Sequence, residues 1–218
     1  VNVSADEGFP TVTINFPANT TYGYASLPLN FNVSLNELGS VQYSLDSGRN
    51  NVTMYNITGG AIGTLLNYTN KSIADGTYRF RAYANDNAGN INNSAFVDFG
   101  IDKTFPLISF GLGTEDNNAV VQRNWIYVNV SVTESNEKTI TFRLYNKTGE
   151  INTSSFTNAR RIINWTNLVD NYYTYNVSVN DPGNNINTTE TRTIFVDLNN
   201  PKIKKLIDQI KKLASHPR

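Results

Sequence analysis

The sequence predicts an all-β chain: two tandem antiparallel β-sandwiches followed by a short C-terminal amphipathic helix. Three observations lead there: apolar and polar residues alternate strictly over many short stretches, the chain resembles itself at a constant offset of 95 residues, and its composition changes abruptly near Pro201. The alternation is the strongest. Leu29, Phe31, Val33 and Leu35 interleave with Asn30, Asn32 and Ser34, and Ile126, Val128, Val130 and Val132 interleave with Tyr127, Asn129 and Ser131. Tyr78, Phe80, Ala82 and Ala84 do the same against Arg79, Arg81 and Tyr83, as do Tyr173, Tyr175, Val177 and Val179 against Thr174, Asn176 and Ser178. Successive strand side chains point to opposite faces, so each run reads as a strand with one buried and one wet face. Further strands are expected over 11–16, 41–45, 52–57 and 95–101, then over 107–111, 139–145, 160–165 and 190–196. Asp75-Gly76 and Asp170-Asn171 read as tight hairpin turns, and Asp86–Asn90 and Asp181–Asn184 as Asx and Gly turns.

The repeat organises these strands. Asp75–Asp102 aligns on Asp170–Asp197, with Asp75 on Asp170, Tyr78 on Tyr173, Phe80 on Tyr175, Asp86 on Asp181 and Ile91 on Ile186. A looser match places Phe9-Pro10 on Phe105-Pro106. The implied organisation is a lead-in over 1–8, one domain over 9–103, a second over 104–199, and a tail over 200–218. About seven short strands in each copy, with no helical stretch between them, make a sandwich.

Composition excludes several functions. The chain has 218 residues, no Cys and one His, so a thiol nucleophile, a Cys metal site, disulfides, a His-rich metal site and a Ser-His-Asp triad are all ruled out. Residues 1–201 carry 12 basic and 17 acidic side chains, whereas 202–218 carry 6 and 1. The body therefore has the wrong sign for nucleic acid. No apolar run is long enough to span a bilayer. The start at Val1, within Val-Asn-Val-Ser, reads as a segment cut from a longer precursor.

Asp75–Asn90, followed by Phe99–Pro106 (FGIDKTFP), resembles the junction between tandem immunoglobulin-like modules of bacterial and archaeal surface proteins. The second copy, with Asn164-Trp165-Thr166-Asn167-Leu168 leading into its strand, is similar to Asn/Thr-rich versions in very large archaeal envelope proteins. The resemblance implies immunoglobulin-like sandwiches in a cell-surface setting, acting as spacers, stalks or adhesive arms, with calcium at domain ends in some neighbouring families. Asp170-Asn171, where Asp-Gly is expected, and Pro182 depart from the pattern. Tyr78 and Tyr173 resemble the corner tyrosine of such folds, which implies a bond from the hydroxyl to backbone.

Candidate site residues follow. Fourteen Asn-x-Ser/Thr acceptors occur, at Asn2, Asn19, Asn32, Asn51, Asn56, Asn67, Asn70, Asn92, Asn129, Asn146, Asn152, Asn164, Asn176 and Asn187. With 34 Asn and 38 Ser plus Thr, chance gives about six. Asn32, Asn129 and Asn176 have the outward parity of their strands, which suits an exported glycoprotein; the competing reading is that outward strand positions simply favour Asn and Thr. Asp86, Asn87, Asn90 and Asp102, with Glu115 and Asp116, are candidate oxygen ligands for calcium, and Asp181, Asn184 and Asp197 are the second-copy equivalents. Capping of their own turns is the preferred reading of Asp86 and Asn90. Trp125 and Trp165 are expected in core or rim packing. An exposed platform from Tyr22, Tyr24, Tyr172 and Trp165 would instead favour carbohydrate. Glu37 with Asp46, or Glu134 with Glu137, are the only carboxylate pairs to weigh for glycoside hydrolysis, and charged loops account for them.

The tail places Ile203, Leu206, Ile207, Ile210 and Leu213 on one face of a helix, with Lys204, Lys205, Lys211 and Lys212 around the rest. Such a helix, about 20 Å long, suits docking on a partner, a membrane surface, the start of a further domain, or an engineered appendage. The reading is a non-enzymatic, extracellular structural or spacer segment of a larger cell-surface or adhesin-like protein, with no cofactor required. Its rival is a binding module for carbohydrate, or for another copy through an exposed strand edge.

Overall fold

The computed structural model describes residues 7–56 and 65–199, together with Lys205 and Gln209. The chain divides into two compact units, Val1–Thr104 with Pro182–Asn185, and Phe105–Asp181 with Ile186–Arg218.

The first unit holds β1 (Val12–Phe16), β2 (Thr21–Tyr22), β3 (Leu29–Leu35), β4 (Gly39–Ser44), β5 (Val52–Thr53), β6 (Tyr55–Asn56), β7 (Leu65–Asn70), β8 (Gly76–Asp86), β9 (Ile91–Asn92) and β10 (Phe96–Ile101). They form two sheets, β1-β3-β7-β6 and β2-β10-β8-β4-β5, with β9 beside β8. Every pairing is antiparallel except β2 with β10. The buried parity of β3 (Leu29, Phe31, Val33, Leu35) packs with Val41, Tyr43, Phe80, Ala82, Ala84, Phe99 and Ile101 from the other sheet. Phe31 is the centre: its ring lies 4.9 Å from Phe80 and 5.0 Å from Tyr43 between centroids. Such contacts add about 0.5–1.5 kcal/mol each beyond area burial.

The second unit repeats the plan with β11 (Leu107–Phe110), β12 (Ala119–Val121), β13 (Ile126–Thr133), β14 (Thr139–Asn146), β15 (Gly149–Phe156), β16 (Ile162–Trp165), β17 (Asn171–Asn180), β18 (Ile186–Thr188) and β19 (Arg192–Val196). Its sheets are β11-β13-β16 and β12-β19-β17-β14-β15, with β18 beside β17. Again one pairing is parallel, β12 with β19. Tyr175 occupies the place of Phe80 and is wholly buried. Burial pushes its phenol up to about 12, and the hydroxyl donates to the Glu115 carbonyl at 3.4 Å. Trp165 is core, 6% exposed, and its Nε1 donates to Asn152 Oδ1 at 3.0 Å.

Three expectations are corrected. Among the described residues the fold is all-β and holds no C-terminal amphipathic helix. Among the described residues the one helical element with bounds is a three-residue 3-10 turn, Tyr24–Ser26, and none reaches seven residues. A lone helix of the length expected is marginal in water, since nucleation costs more than a few turns return. Lys205 and Gln209 are described as exposed helical positions; the face Ile203, Leu206, Ile207, Ile210 and Leu213 lies outside the described residues. Asp75-Gly76 and Asp170-Asn171 are not hairpin turns either, because β7 and β8, and likewise β16 and β17, belong to different sheets. The strand expected over 52–57 is two short strands in different sheets, β5 and β6.

Equivalent bonds close both copies. Tyr78 donates its hydroxyl to the Ala74 carbonyl at 2.9 Å, and Tyr173 donates to the Val169 carbonyl at 3.1 Å. Tyr173 also accepts the Val169 N–H at 3.2 Å. Asp75 accepts the Lys103 N–H at 3.2 Å and Asp170 accepts the Leu198 N–H at 2.8 Å, so each carboxylate ties down the chain leaving the last strand. These are the corner tyrosines expected, and the aspartates preceding them are their neighbours in function. Replacing Tyr78 by Phe removes one hydrogen bond and should cost about 1 kcal/mol in urea unfolding. Tyr173→Phe removes two at a buried position and should cost more. Equal midpoints for both variants and the parent would contradict this account.

Candidate functional site

Strand parity decides what the sheet surfaces present. On β3, Asn30, Asn32 and Ser34 are the residues left between buried neighbours. Asn15 Nδ2 donates to Asn32 Oδ1 at 2.8 Å and to Ser34 Oγ at 3.3 Å, and Thr69 Oγ1 donates to Asn30 Oδ1 at 2.5 Å. The outward face of this sheet is thus a neutral, hydrogen-bonded lattice of Asn, Ser and Thr. Asn129 and Asn176 are likewise half-buried between buried neighbours on β13 and β17.

The glycosylation acceptors do not share one environment. Asn2 lies outside the described residues. Asn19, Asn51, Asn56, Asn152 and Asn164 are exposed, and Asn32, Asn67, Asn70, Asn92, Asn129, Asn146, Asn176 and Asn187 are half-buried. Several amide nitrogens are already engaged. Asn92 Nδ2 donates to the Pro10 carbonyl at 2.8 Å, and its repeat equivalent Asn187 donates to the Pro106 carbonyl at 2.9 Å. These two pin the start of each sandwich, a role that the paired Phe-Pro in the sequence hinted at. Asn129 Nδ2 donates to the Leu112 carbonyl at 3.0 Å, and Asn176 Nδ2 to Thr191 Oγ1 at 3.3 Å.

The residues named for calcium are mostly engaged in their own loops. Asp86 Oδ1 accepts the N–H groups of Ala88 and Asn90 at 2.9 and 2.8 Å, and Oδ2 accepts Asn90 Nδ2 at 2.8 Å. Burial is the largest single influence on the Asp86 carboxyl and pushes it up. The amide of Asn90 and the N–H groups of Asn90, Ala88 and Gly89 together outweigh that and hold it below the usual carboxylate range. Asp102 caps the Thr104 N–H at 3.1 Å, Glu115 pairs with Arg123, and Asn87 and Asp116 are exposed. Asp181 is fully buried, Asn184 is exposed at a φ of 61°, and the Asp197 N–H donates to the Val121 carbonyl at 3.0 Å. Among the described residues no three His, Cys, Asp or Glu side chains gather as a metal site.

Three of the four carboxylates weighed for hydrolysis, Asp46, Glu134 and Glu137, are engaged in local structure. Glu137 binds Arg161 through both oxygens, at 2.5 and 3.0 Å, and Glu134 accepts the Asn136 N–H at 2.8 Å. Asp46 accepts from the Asn50 N–H at 2.9 Å, Ser44 Oγ at 2.7 Å and Asn50 Nδ2 at 2.6 Å, which together hold its carboxyl down at about 2. The aromatic platform does not form as expected: Trp165 is core and Tyr22 packs against the first core, leaving Tyr24 and Tyr172 exposed. Tyr172 instead stacks on Phe195 at 4.4 Å. Trp125 is a rim residue, 37% exposed, with the Arg123 guanidinium 4.1 Å over its ring. Sequence reasoning missed an open cleft of about 700 Å³ beside β7, lined by Tyr43, Tyr55, Asn67, Tyr68, Asn70 and Lys71 among others. Asn67 Oδ1 is buried there without a hydrogen-bond partner.

No protein-family profile and no curated protein matches the chain. Solved structures do. Fibronectin(III)-like modules of Clostridium thermocellum CbhA align over 86% of this chain and 94% of that one, at 15% identity and a TM-score of 0.52. An I-band fragment of titin aligns over 88% of this chain and 66% of that one, at 14% identity and a TM-score of 0.49. The CbhA alignment shows that the chain has the fold of tandem fibronectin-III-like β-sandwich modules.

The lowered carboxyls of Asp46 and Asp86 carry a signed pH dependence. Both titrate below their unfolded-chain values, so their stabilisation is complete above about pH 4 and is lost as pH falls through the folded values, which for Asp46 is about 2. Melting temperature measured from about pH 5 downward should fall less steeply in the Asp46→Asn, Asp86→Asn double variant than in the parent. Parallel slopes would show that these caps do not contribute.

Proposed function

We propose that the chain is a non-enzymatic, extracellular spacer within a larger cell-surface or adhesin-like protein, its partners being the neighbouring domains of that protein. One observation carries this reading: in each unit an early strand runs parallel to the last, β2 to β10 and β12 to β19. Parallel neighbours pulled from the early strand's N-terminal side and the late strand's C-terminal side slide in opposite directions. Tension then loads their hydrogen bonds in shear, so several break together rather than one at a time. Flanking bonds extend each patch, from the Gly100 N–H to the Thr20 carbonyl at 2.9 Å and from the Asp102 N–H to the Tyr22 carbonyl at 3.0 Å. In the second unit the Asn118 N–H donates to the Thr193 carbonyl at 2.7 Å and the Asp197 N–H to the Val121 carbonyl at 3.0 Å. A chain holding a tip away from a surface needs this geometry and no cleft. The excess of Asn-x-Ser/Thr acceptors supports export, and the resemblance of the second copy to Asn/Thr-rich modules of archaeal envelope proteins is what suggests that setting.

Antibody raised against the folded chain should label intact cells of the source organism, and trypsin added outside should remove the signal. Labelling only after permeabilisation would overturn the surface assignment.

A second reading rests on the cleft beside β7. Its tyrosines, neutral amides and unpartnered Asn67 oxygen have the chemistry of a saccharide site. A glycan array separates the two: the spacer reading expects a blank, whereas binding abolished by Tyr55→Ala establishes the cleft.

A further inference from the structure

The hairpin between β14 and β15 holds one acceptor sequence, Asn146-Lys147-Thr148, in a shape made for chemistry at the asparagine nitrogen. Asn146 Oδ1 accepts both the Thr148 N–H at 2.9 Å and the Thr148 Oγ1 hydroxyl at 2.6 Å. An amide nitrogen is a poor nucleophile because its lone pair is delocalised into the carbonyl. Two hydrogen bonds on the carbonyl oxygen draw electron density toward it and make the nitrogen's protons easier to remove. The Asn146 nitrogen itself is uncommitted, since both bonds of this side chain run through its oxygen. Lys147, Thr148 and Gly149 are exposed, and no heavy atom lies within 4 Å of where a Gly149 side chain would start. A transferase can reach this turn without opening the sandwich.

Other acceptors lack one part of this arrangement. Asn92 has the same turn, accepting the Ser94 N–H at 2.9 Å and Oγ at 2.8 Å, but its nitrogen is held on the Pro10 carbonyl. Asn70 accepts the Ser72 N–H at 3.1 Å, without the second bond from the Ser72 hydroxyl, and lines the cleft beside Tyr43. Asn187 has its nitrogen on the Pro106 carbonyl and its oxygen on the Thr188 N–H, not on the residue that completes its acceptor sequence. Asn32 lies within a central strand paired on both sides by β1 and β7, so its backbone is not available to a transferase.

We propose that Asn146 is a preformed N-glycosylation acceptor of the folded protein, and that Asn92 and Asn187 are structural asparagines that the folded state withholds. In the transfer, the bond between the sugar C1 and the diphosphate oxygen of an activated glycosyl donor breaks, its electron pair leaving with the diphosphate. A bond from C1 to Asn146 Nδ2 forms, and one Nδ2 proton passes to the transferase. The carbonyl oxygen is untouched and keeps its hydrogen bonds to Thr148. The proposal deepens the surface-protein reading, which gives the modification its setting, but the geometry stands without it.

The test uses purified, unglycosylated full chain, a soluble N-glucosyltransferase that recognises Asn-x-Ser/Thr, and UDP-glucose, with an Asn-Lys-Thr peptide modified in parallel. Peptide mapping over time should find glucose on Asn146 early, and none on Asn92 or Asn187 until urea unfolds the protein. The second variant is Gly149→Ala, which leaves Asn-Lys-Thr intact but places a side chain at a φ of 129°. Losing the fixed turn should slow transfer to Asn146 about tenfold, the cost of ordering one residue's backbone. Transfer to Asn92 and Asn187 as fast as to Asn146, no transfer to the folded chain, or an unchanged rate in Gly149→Ala would each overturn the proposal. Because the assay is independent of where the protein resides, its failure is distinct from failure of the surface reading, which the intact-cell labelling decides.

Discussion

Everything in this fold depends on burying one parity of each long strand under the facing sheet. Phe31 and Phe80 in the first unit, and Phe142 and Tyr175 in the second, are fully buried, while their sequence neighbours face outward. A slip of one residue on β3 or β17 would exchange the whole buried set for Asn, Ser and Thr. That penalty fixes register, and register in turn places the corner tyrosines, the carboxylates that hold the chain ends, and the parallel strand pairs. Losing a buried ring such as Phe142 is worth about 3–5 kcal/mol, a large share of the stability of a domain this size.

Alternation and repeat made most of this legible beforehand. The strands over 29–35, 126–133 and 171–180 announce themselves because their apolar residues recur every second position. Other strands give no such signal. β15 is largely exposed at a sheet edge, and its Gly-Glu-Ile-Asn-Thr-Ser-Ser-Phe has only two apolar side chains; its place is set by pairing along β14. β2, β9 and β12 are two or three residues long and exist because a neighbouring strand offers a free edge. The C-terminal pattern is a different case, since among the described residues no helix of seven residues stands there. Periodicity shows that a segment can be amphipathic, not that a partner face exists to stabilise it.

The candidate sites were less legible, because the abundant residue has several uses. Asparagine here caps Asx turns at 70, 92 and 146, takes left-handed backbone at 118, 167 and 184, and clamps backbone carbonyls at 92, 129 and 187. An acceptor motif marks three residues in sequence, but whether the amide nitrogen is committed depends on a carbonyl some 80 residues away, as with Asn92 and Pro10. The offset of 95 held the missing clue: Asn92 and Asn187 are equivalent, and Pro10 and Pro106 nearly so. Much of the Asn excess is therefore structural, which bounds how far the acceptor count alone argues for glycans.

The spacer account treats each sandwich as a separate mechanical element whose parallel strand pair bears the load. Pulling the chain by its two ends in a single-molecule force experiment tests this most directly. The account predicts two separate ruptures, each releasing roughly 30 nm, the length of about 90 residues at ~3.6 Å apiece less the folded span. Smooth extension without ruptures, or one event releasing the whole chain, would contradict it.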